Sequence, residues 1–142
     1  MSSPLFVDTG GFLALLVRTD PAHARALHYY RTEARERPKV TTSLVLGETY
    51  SWLRQRVGYR AGLDFLEAAA ESEEKRFLEV VRPTPELEKK CLKVIRRLPG
   101  LELSHTDALS FVVVVEMEIE EVFGFDRRFH AIKRVLVPRV PV

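Results

Sequence analysis

PLFVDTGGFLALL, Pro4 to Leu16, is the stretch on which the fold turns. The apolar run up to Val7 reads as a buried strand, and the residues from about Thr9 to Val17 read as a short helix. Asp8 stands at the handover. A carboxylate there is costly to bury unless it caps the helix or binds something. The question is which.

Outward from this start, strands and helices alternate to the far end. Asp20-Pro21 reads as a cap and first-turn proline of a helix that ends before Arg37-Pro38. Lys39 to Thr42 is a short strand. Ser43 is placed to cap a helix to about Val57, closed by Gly58, and a further helix runs from about Tyr59 to Ser72. Phe77 to Val81 is the next strand. Thr84-Pro85-Glu86 opens another helix with a cap, a proline and a carboxylate that suits the helix dipole, and Pro99-Gly100 stops it. Ser104 to about Glu118 is read as a helix, although the valines within Phe111 to Val115 favour a strand on propensity alone. The Ser104 cap signal and the length of the segment decide for a buried helix. Strand Glu121 to Phe125, a short turn or helix, and strand Val135 to Val137 complete the chain. Such alternation predicts an α/β protein with a parallel sheet covered on both faces.

The 142 residues suit one domain, spanning 1–142, with a sizeable core. A content of 46% hydrophobic and 30% charged residues excludes a disordered chain. The single cysteine, Cys91, is in helical register with Leu87, Val94 and Leu98 and reads as a buried structural thiol. No opening segment resembles a secretory leader, and no apolar run is long enough to span a bilayer. A cytoplasmic protein without a membrane partner is expected. Net charge is only +2, so no bulk positive field announces a nucleic acid. The 22 basic residues are mostly Arg, a weak pointer to phosphate contacts.

In parallel sheets, ligands bind outside the carboxyl ends of the strands. Asp8 and Asp126 follow strands there, while Glu48 and Asp107 lie in helices that begin nearby. Each has an ordinary reading. Asp8 caps its helix, Ser104 to Asp107 forms a capping box, and Asp126 turns the chain. Glu48 faces solvent, opposite a stripe of Leu46, Tyr50, Leu53 and Val57. Taken together, four carboxylates in one cleft would repel one another and raise their pKa values. A hard divalent cation such as Mg²⁺ or Mn²⁺ removes that penalty, and it also supports attack of water on a phosphodiester.

With these pieces in view, the sequence resembles the PIN-domain family of metal-dependent nucleases, most closely its small VapC-type toxin branch. The likeness rests on VDTG at Asp8, TTSLVLGETYSWL around Glu48, LSHTDALSF around Asp107 and FGFDRRF around Asp126. It implies a three-layer α/β/α sandwich around about five parallel strands. It further implies that Asp8, Glu48, Asp107 and Asp126 are catalytic residues ringing Mg²⁺ or Mn²⁺, in an endoribonuclease acting on RNA. A small antitoxin protein and a homodimer are the partners it implies. Thr9 matches a hydroxyl position after the first Asp, and Phe129 an apolar anchor three residues after Asp126. Two positions depart from the pattern: Gly10, where Ser often stands, and Gly124, where Ser or Thr often stands. They keep a second reading open, a catalytically weak module that binds RNA or a protein.

Other chemistries fit less well. A phosphatase of the haloacid dehalogenase type needs a second Asp where Gly10 stands. The Gly10-Gly11 pair lacks the Gly-Lys-Ser/Thr sequel of a phosphate loop. His23, His28, His105 and His130 show no zinc-ligand spacing with one another or with Cys91. Thr9, Arg127 and Arg128 are the candidates for contacts to substrate phosphates.

Overall fold

The computed structural model describes residues 2–139. Five parallel strands, β1 (Leu5–Val7), β2 (Lys39–Thr42), β3 (Leu78–Val81), β4 (Glu121–Phe123) and β5 (Val135–Val137), lie in the order β3-β2-β1-β4-β5. Strand β1 is central, with Leu5 in register with Lys39 on one side and Glu121 on the other. Side chains alternate across a strand. Leu5 and Val7 therefore enter one core, while Phe6 enters the other, and all three are at most 1% exposed.

The Leu5 and Val7 face packs with Ala14 of α1 (Thr9–Leu16) and with Ala26 and Tyr29 of α2 (His23–Arg31). The Phe6 face packs with Cys91 of α5 (Pro85–Arg97) and with Phe111 and Val113 of α6 (His105–Glu116). Two further helices, α3 (Ser43–Arg56) and α4 (Tyr59–Glu74), form a pair, and Ala69 of α4 covers Leu78 and Val80. The result is the three-layer sandwich expected from the alternation. Full burial of each core phenylalanine contributes about 1.5–3 kcal/mol relative to exposure.

The valine run is helical because α6 is buried almost all round. Ala108, Leu109, Phe111, Val112, Val113 and Val114 are all buried, so packing overrides β-propensity. At its start, Ser104 Oγ accepts the Asp107 N–H at 3.1 Å while Asp107 Oδ2 accepts the Ser104 N–H at 3.0 Å. Ser104→Ala is expected to cost about 1 kcal/mol in denaturant unfolding, since it removes half of this reciprocal cap. An unchanged midpoint would deny the cap any weight.

Strand β4 ends at Phe123, short of the expected Phe125, and β3 begins at Leu78, not Phe77; the larger differences from the sequence expectation lie in α2 and α3. Helix α2 is shorter than the span from Asp20 to Arg37. Asp20 Oδ1 accepts the Ala22 N–H at 2.8 Å, which makes residues 20–22 a turn ahead of the helix. At the other end, the buried Lys39 ammonium donates to the carbonyls of Ala34 and Arg35, drawing that backbone out of helical register. Thr42, not Ser43, caps α3. It still pairs in β2 with Val81, yet its hydroxyl accepts the Val45 N–H. The inward stripe of α3 is Val45, Thr49 and Leu53, whereas Val57 is 58% exposed. Gly58 then joins α3 to α4 at φ +148, a backbone state that side chains disfavour.

Candidate active site

The strand order reverses between β1 and β4, and the crevice outside their carboxyl ends is where an open parallel sheet holds its ligand. Asp8 leaves β1 at this point, and Asp126 follows β4. The Asp8 N–H donates to the Phe123 carbonyl at 3.1 Å, tying the two strand ends together. Asp8 occupies the cap position of α1, but its side chain makes no cap hydrogen bond. It is nonetheless buried, 8% exposed. The capping explanation for this carboxylate therefore fails.

Two glycines let the backbone come this close. A Cβ on Gly11 would stand 2.2 Å from the Phe123 carbonyl oxygen, so α1 rests directly on β4. A Cβ on Gly124 would stand 3.1 Å from the Asp8 Cβ and 3.6 Å from its Oδ2. The departure at Gly124 is thus where the chain passes Asp8 at close range. At Gly10 the nearest atoms to an added Cβ are 3.7 Å away, so nothing in the packing demands that glycine.

The other carboxylates arrive by different routes. Glu48 is exposed on α3, and its Oε1 accepts the Thr9 hydroxyl at 2.7 Å. That hydroxyl proton is thereby committed to Glu48 instead of a phosphate. Asp107 is fixed by its capping box. Asp126 starts the 3₁₀ turn Arg127–Ile132 and accepts the Arg128 N–H at 3.0 Å. Phe129, 1% exposed, anchors that turn with its ring centroid 4.9 Å from Phe111.

Arg128, a candidate phosphate contact on the sequence, is otherwise engaged. Its guanidinium spans the site, with Nη2 2.7 Å from Asp126 Oδ2 and 2.8 Å from Asp107 Oδ2. Nη1 donates to the carbonyls of Leu101 and Glu102. Arg127 is exposed.

The electrostatics follow from this arrangement. Burial, foremost, pushes the Asp8 carboxyl up to about 7; the Thr9 backbone N–H opposes this, and the charges of Asp126, Asp107 and Glu48 add to it. The other three acids therefore all act on Asp8. Burial would also raise Asp126, but the hydrogen bonds and charge of Arg128 outweigh it and hold that group below the usual carboxylate range. Arg128 is held still more firmly protonated than an ordinary arginine, first by its hydrogen bond to Asp126.

The donor set is all oxygen and anionic, with one buried carboxylate that lacks a cap partner. Those properties suit a hard divalent cation. Among the described residues, no three His, Cys, Asp or Glu side chains already stand in a coordinating array. Arg128 supplies the positive charge between Asp107 and Asp126 in that arrangement. Among the described residues, no helix is long and apolar enough to cross a membrane.

A single parallel sandwich with an acidic crevice at its strand reversal narrows the class of protein, and comparison with known chains completes the step. No family model matches the sequence. The 23S rRNA-specific endonuclease VapC20 of Mycobacterium tuberculosis, known from two strains, is 34% identical over 128 residues, covering 89% of this chain and 92% of that protein. The chain belongs to the VapC family of PIN-domain toxins. The crystal structure of Mycobacterium tuberculosis VapC20, a sarcin-ricin loop cleaving toxin, superposes with a TM-score of 0.81 at 30% identity, covering 92% of this chain and 96% of that one. VapBC2 from Rickettsia felis, solved with a DNA fragment from its promoter, shares the fold at a TM-score of 0.64 and 13% identity, covering 94% and 96%.

Proposed function

We propose that this protein is a Mg²⁺- or Mn²⁺-dependent endoribonuclease, the toxin of a toxin–antitoxin pair. The observation that carries the reading is Asp8, buried at the strand reversal, uncapped, and under the charges of three further carboxylates. Its kinship with VapC20, a ribosomal RNA endonuclease, supports the same reading and makes structured ribosomal RNA the first substrate to try.

Asp8, Asp107 and Asp126 are the proposed metal ligands, with Glu48 as a ligand or general base. When bound, the cation would neutralise these carboxylates and acidify a coordinated water. Glu48, oriented by the Thr9 hydroxyl, would accept a proton from the attacking water. Asp8, which makes no side-chain cap hydrogen bond, would offer its carboxylate for binding. Arg128 would steady Asp107 and Asp126 before a substrate arrives. A small antitoxin and a second copy of the chain are the proposed protein partners.

The test is cleavage of a ribosomal RNA hairpin with Mn²⁺ and with chelator. Loss of cleavage on chelation is expected, and cleavage that persists in chelator sinks the mechanism. The alternative, a binding module without turnover, would hold RNA or protein but cut nothing when Mn²⁺ is supplied.

Arg128→Gln gives a separate check. Removing the guanidinium leaves Asp107 and Asp126 facing Asp8 without a counter-charge. The metal-free variant should melt several degrees lower than the wild type, as expected for a loss of about 1–2 kcal/mol. Mn²⁺ should narrow that gap, because a bound cation replaces the missing charge. A gap that Mn²⁺ leaves untouched would separate Arg128 from the metal site.

A further inference from the structure

Beside the acidic crevice lies a cleft of about 580 Å³ whose lining includes Arg127, His130, Arg134 and Arg139, the ring of Phe125, and no acidic residue. In a chain with a net charge of +2, this is a local concentration of positive potential. Arg134 is held within the fold, donating to the carbonyls of Ile132 at 2.8 Å and Val114 at 3.4 Å. Arg127, His130 and Arg139 are exposed. None of the three forms an ion pair among the described residues.

The cleft and the acidic crevice meet at Gly124. That residue lines the cleft, and an added Cβ there would nearly touch Asp8. Phe125 continues the wall, with the Arg25 guanidinium 6.0 Å from its ring centre. Cations and an aromatic ring thus begin where the carboxylates end. A strand with one phosphate at Asp8 has further phosphates on either side, and four carboxylates repel them. Unpaired arginines in continuity with the site are what such a polyanion requires. An acidic protein segment would meet the same cations, but nothing in its chemistry would require continuity with Asp8.

We propose that this cleft carries the RNA strand on one side of the scissile phosphate. Arg127, His130 and Arg139 contact phosphates, and Phe125 with Arg25 offers a stacking surface to a base. The assignment rests on the ribonuclease reading and extends it to the path of the substrate.

The experiment measures binding of a labelled RNA hairpin to the full chain carrying Asp8→Asn, alone and with Arg127→Ala and Arg139→Ala, across a salt series. Losing two phosphate contacts should weaken binding about tenfold and flatten the log–log salt slope by about 1.4. Arg60→Ala, a single charge removed on α4, should leave both unchanged. Thermal melting verifies that each variant is folded. Equal affinity and slope in the double arginine variant would overturn the cleft assignment. So would a variant that binds RNA normally but loses an acidic peptide, since the cleft would then be a protein surface. If the wild type cuts RNA and the arginine variant cuts with the same kcat/KM, only the cleft assignment falls. If the wild type neither cuts nor holds RNA, the ribonuclease reading falls with it.

Discussion

Asp8→Asn is expected to cut RNA at least about 100-fold more slowly than the wild type, yet to unfold less readily above pH 7. The activity loss follows from removing one anionic oxygen donor of the proposed metal site. The gain in stability follows from the same burial. The ordinary aspartate value of 3.8 rises to about 7 in the folded protein. Between those values the folded chain keeps a proton that the unfolded chain has released, so stability declines as pH rises. Above about pH 7 the penalty is complete, and it amounts to at most about 4 kcal/mol. Asparagine carries no charge and escapes it. Metal-free unfolding in denaturant at pH 5 and pH 8 should show the wild type weaker at pH 8 and the variant nearly level. Adding Mn²⁺ should restore the wild type and leave the variant where it was. A variant less stable than the wild type at pH 8, or one cutting RNA at full rate, would remove Asp8 from the proposed role.

Gly11→Ala is expected to be the most damaging single methyl group in the molecule. Its Cβ would lie 2.2 Å from the Phe123 carbonyl oxygen and 2.4 Å from the ring carbon Cδ1. Neither neighbour can yield. The carbonyl accepts the Asp8 N–H at 3.1 Å, and the Phe123 ring is fully buried between Tyr29 and Tyr30. Helix α1 would have to lift from β4, at a cost of about 3 kcal/mol or more. Denaturant unfolding or soluble yield measures this directly. Gly10→Ala is the matched control, since its nearest contact would be an ordinary 3.7 Å. Equal stability of the two variants would show that α1 is not pressed against β4.

The difference between these two glycines was invisible in GG. Which of them touches β4 depends on a strand more than a hundred residues away. The sandwich itself was legible, because β1, α5 and α6 carry their pattern locally: a short apolar run in β1, hydroxyl caps at Thr84 and Ser104, and Pro99-Gly100 closing α5. The sequence overran α2 because Lys39 takes the carbonyls of Ala34 and Arg35, a side-chain bond across only five and four residues that helical periodicity does not register. On α3 it placed Leu46 and Leu53 inward but missed Thr49, which is buried and bonded to the Val45 carbonyl at a position an apolar residue would normally take, and it counted the exposed Val57.

The candidate site was legible as a set of carboxylates and not as a set of contacts. Their places at strand ends and early helix turns, with the resemblance to PIN-domain motifs, singled out Asp8, Glu48, Asp107 and Asp126. That Thr9 would hold Glu48 was hidden, since those two residues are joined only by the fold. The Arg128 bridge had a local trace: an Asp two residues before an Arg in a tight turn can bond both its backbone and its side chain. Half of that bridge, the bond to Asp107, again needed the tertiary structure.

The central pairing of β1 with β4 has a consequence for when the protein becomes complete. On that side Leu5 finds its partner in Glu121, and β4 must emerge before the crevice has a second wall. A nascent chain that has exposed Asp8 and Glu48 still lacks Asp107 and Asp126, and it has no edge against which β1 can close on that side. Long-range parallel pairing is also slow to form. The order of synthesis therefore withholds the full acidic set until Asp126 has emerged.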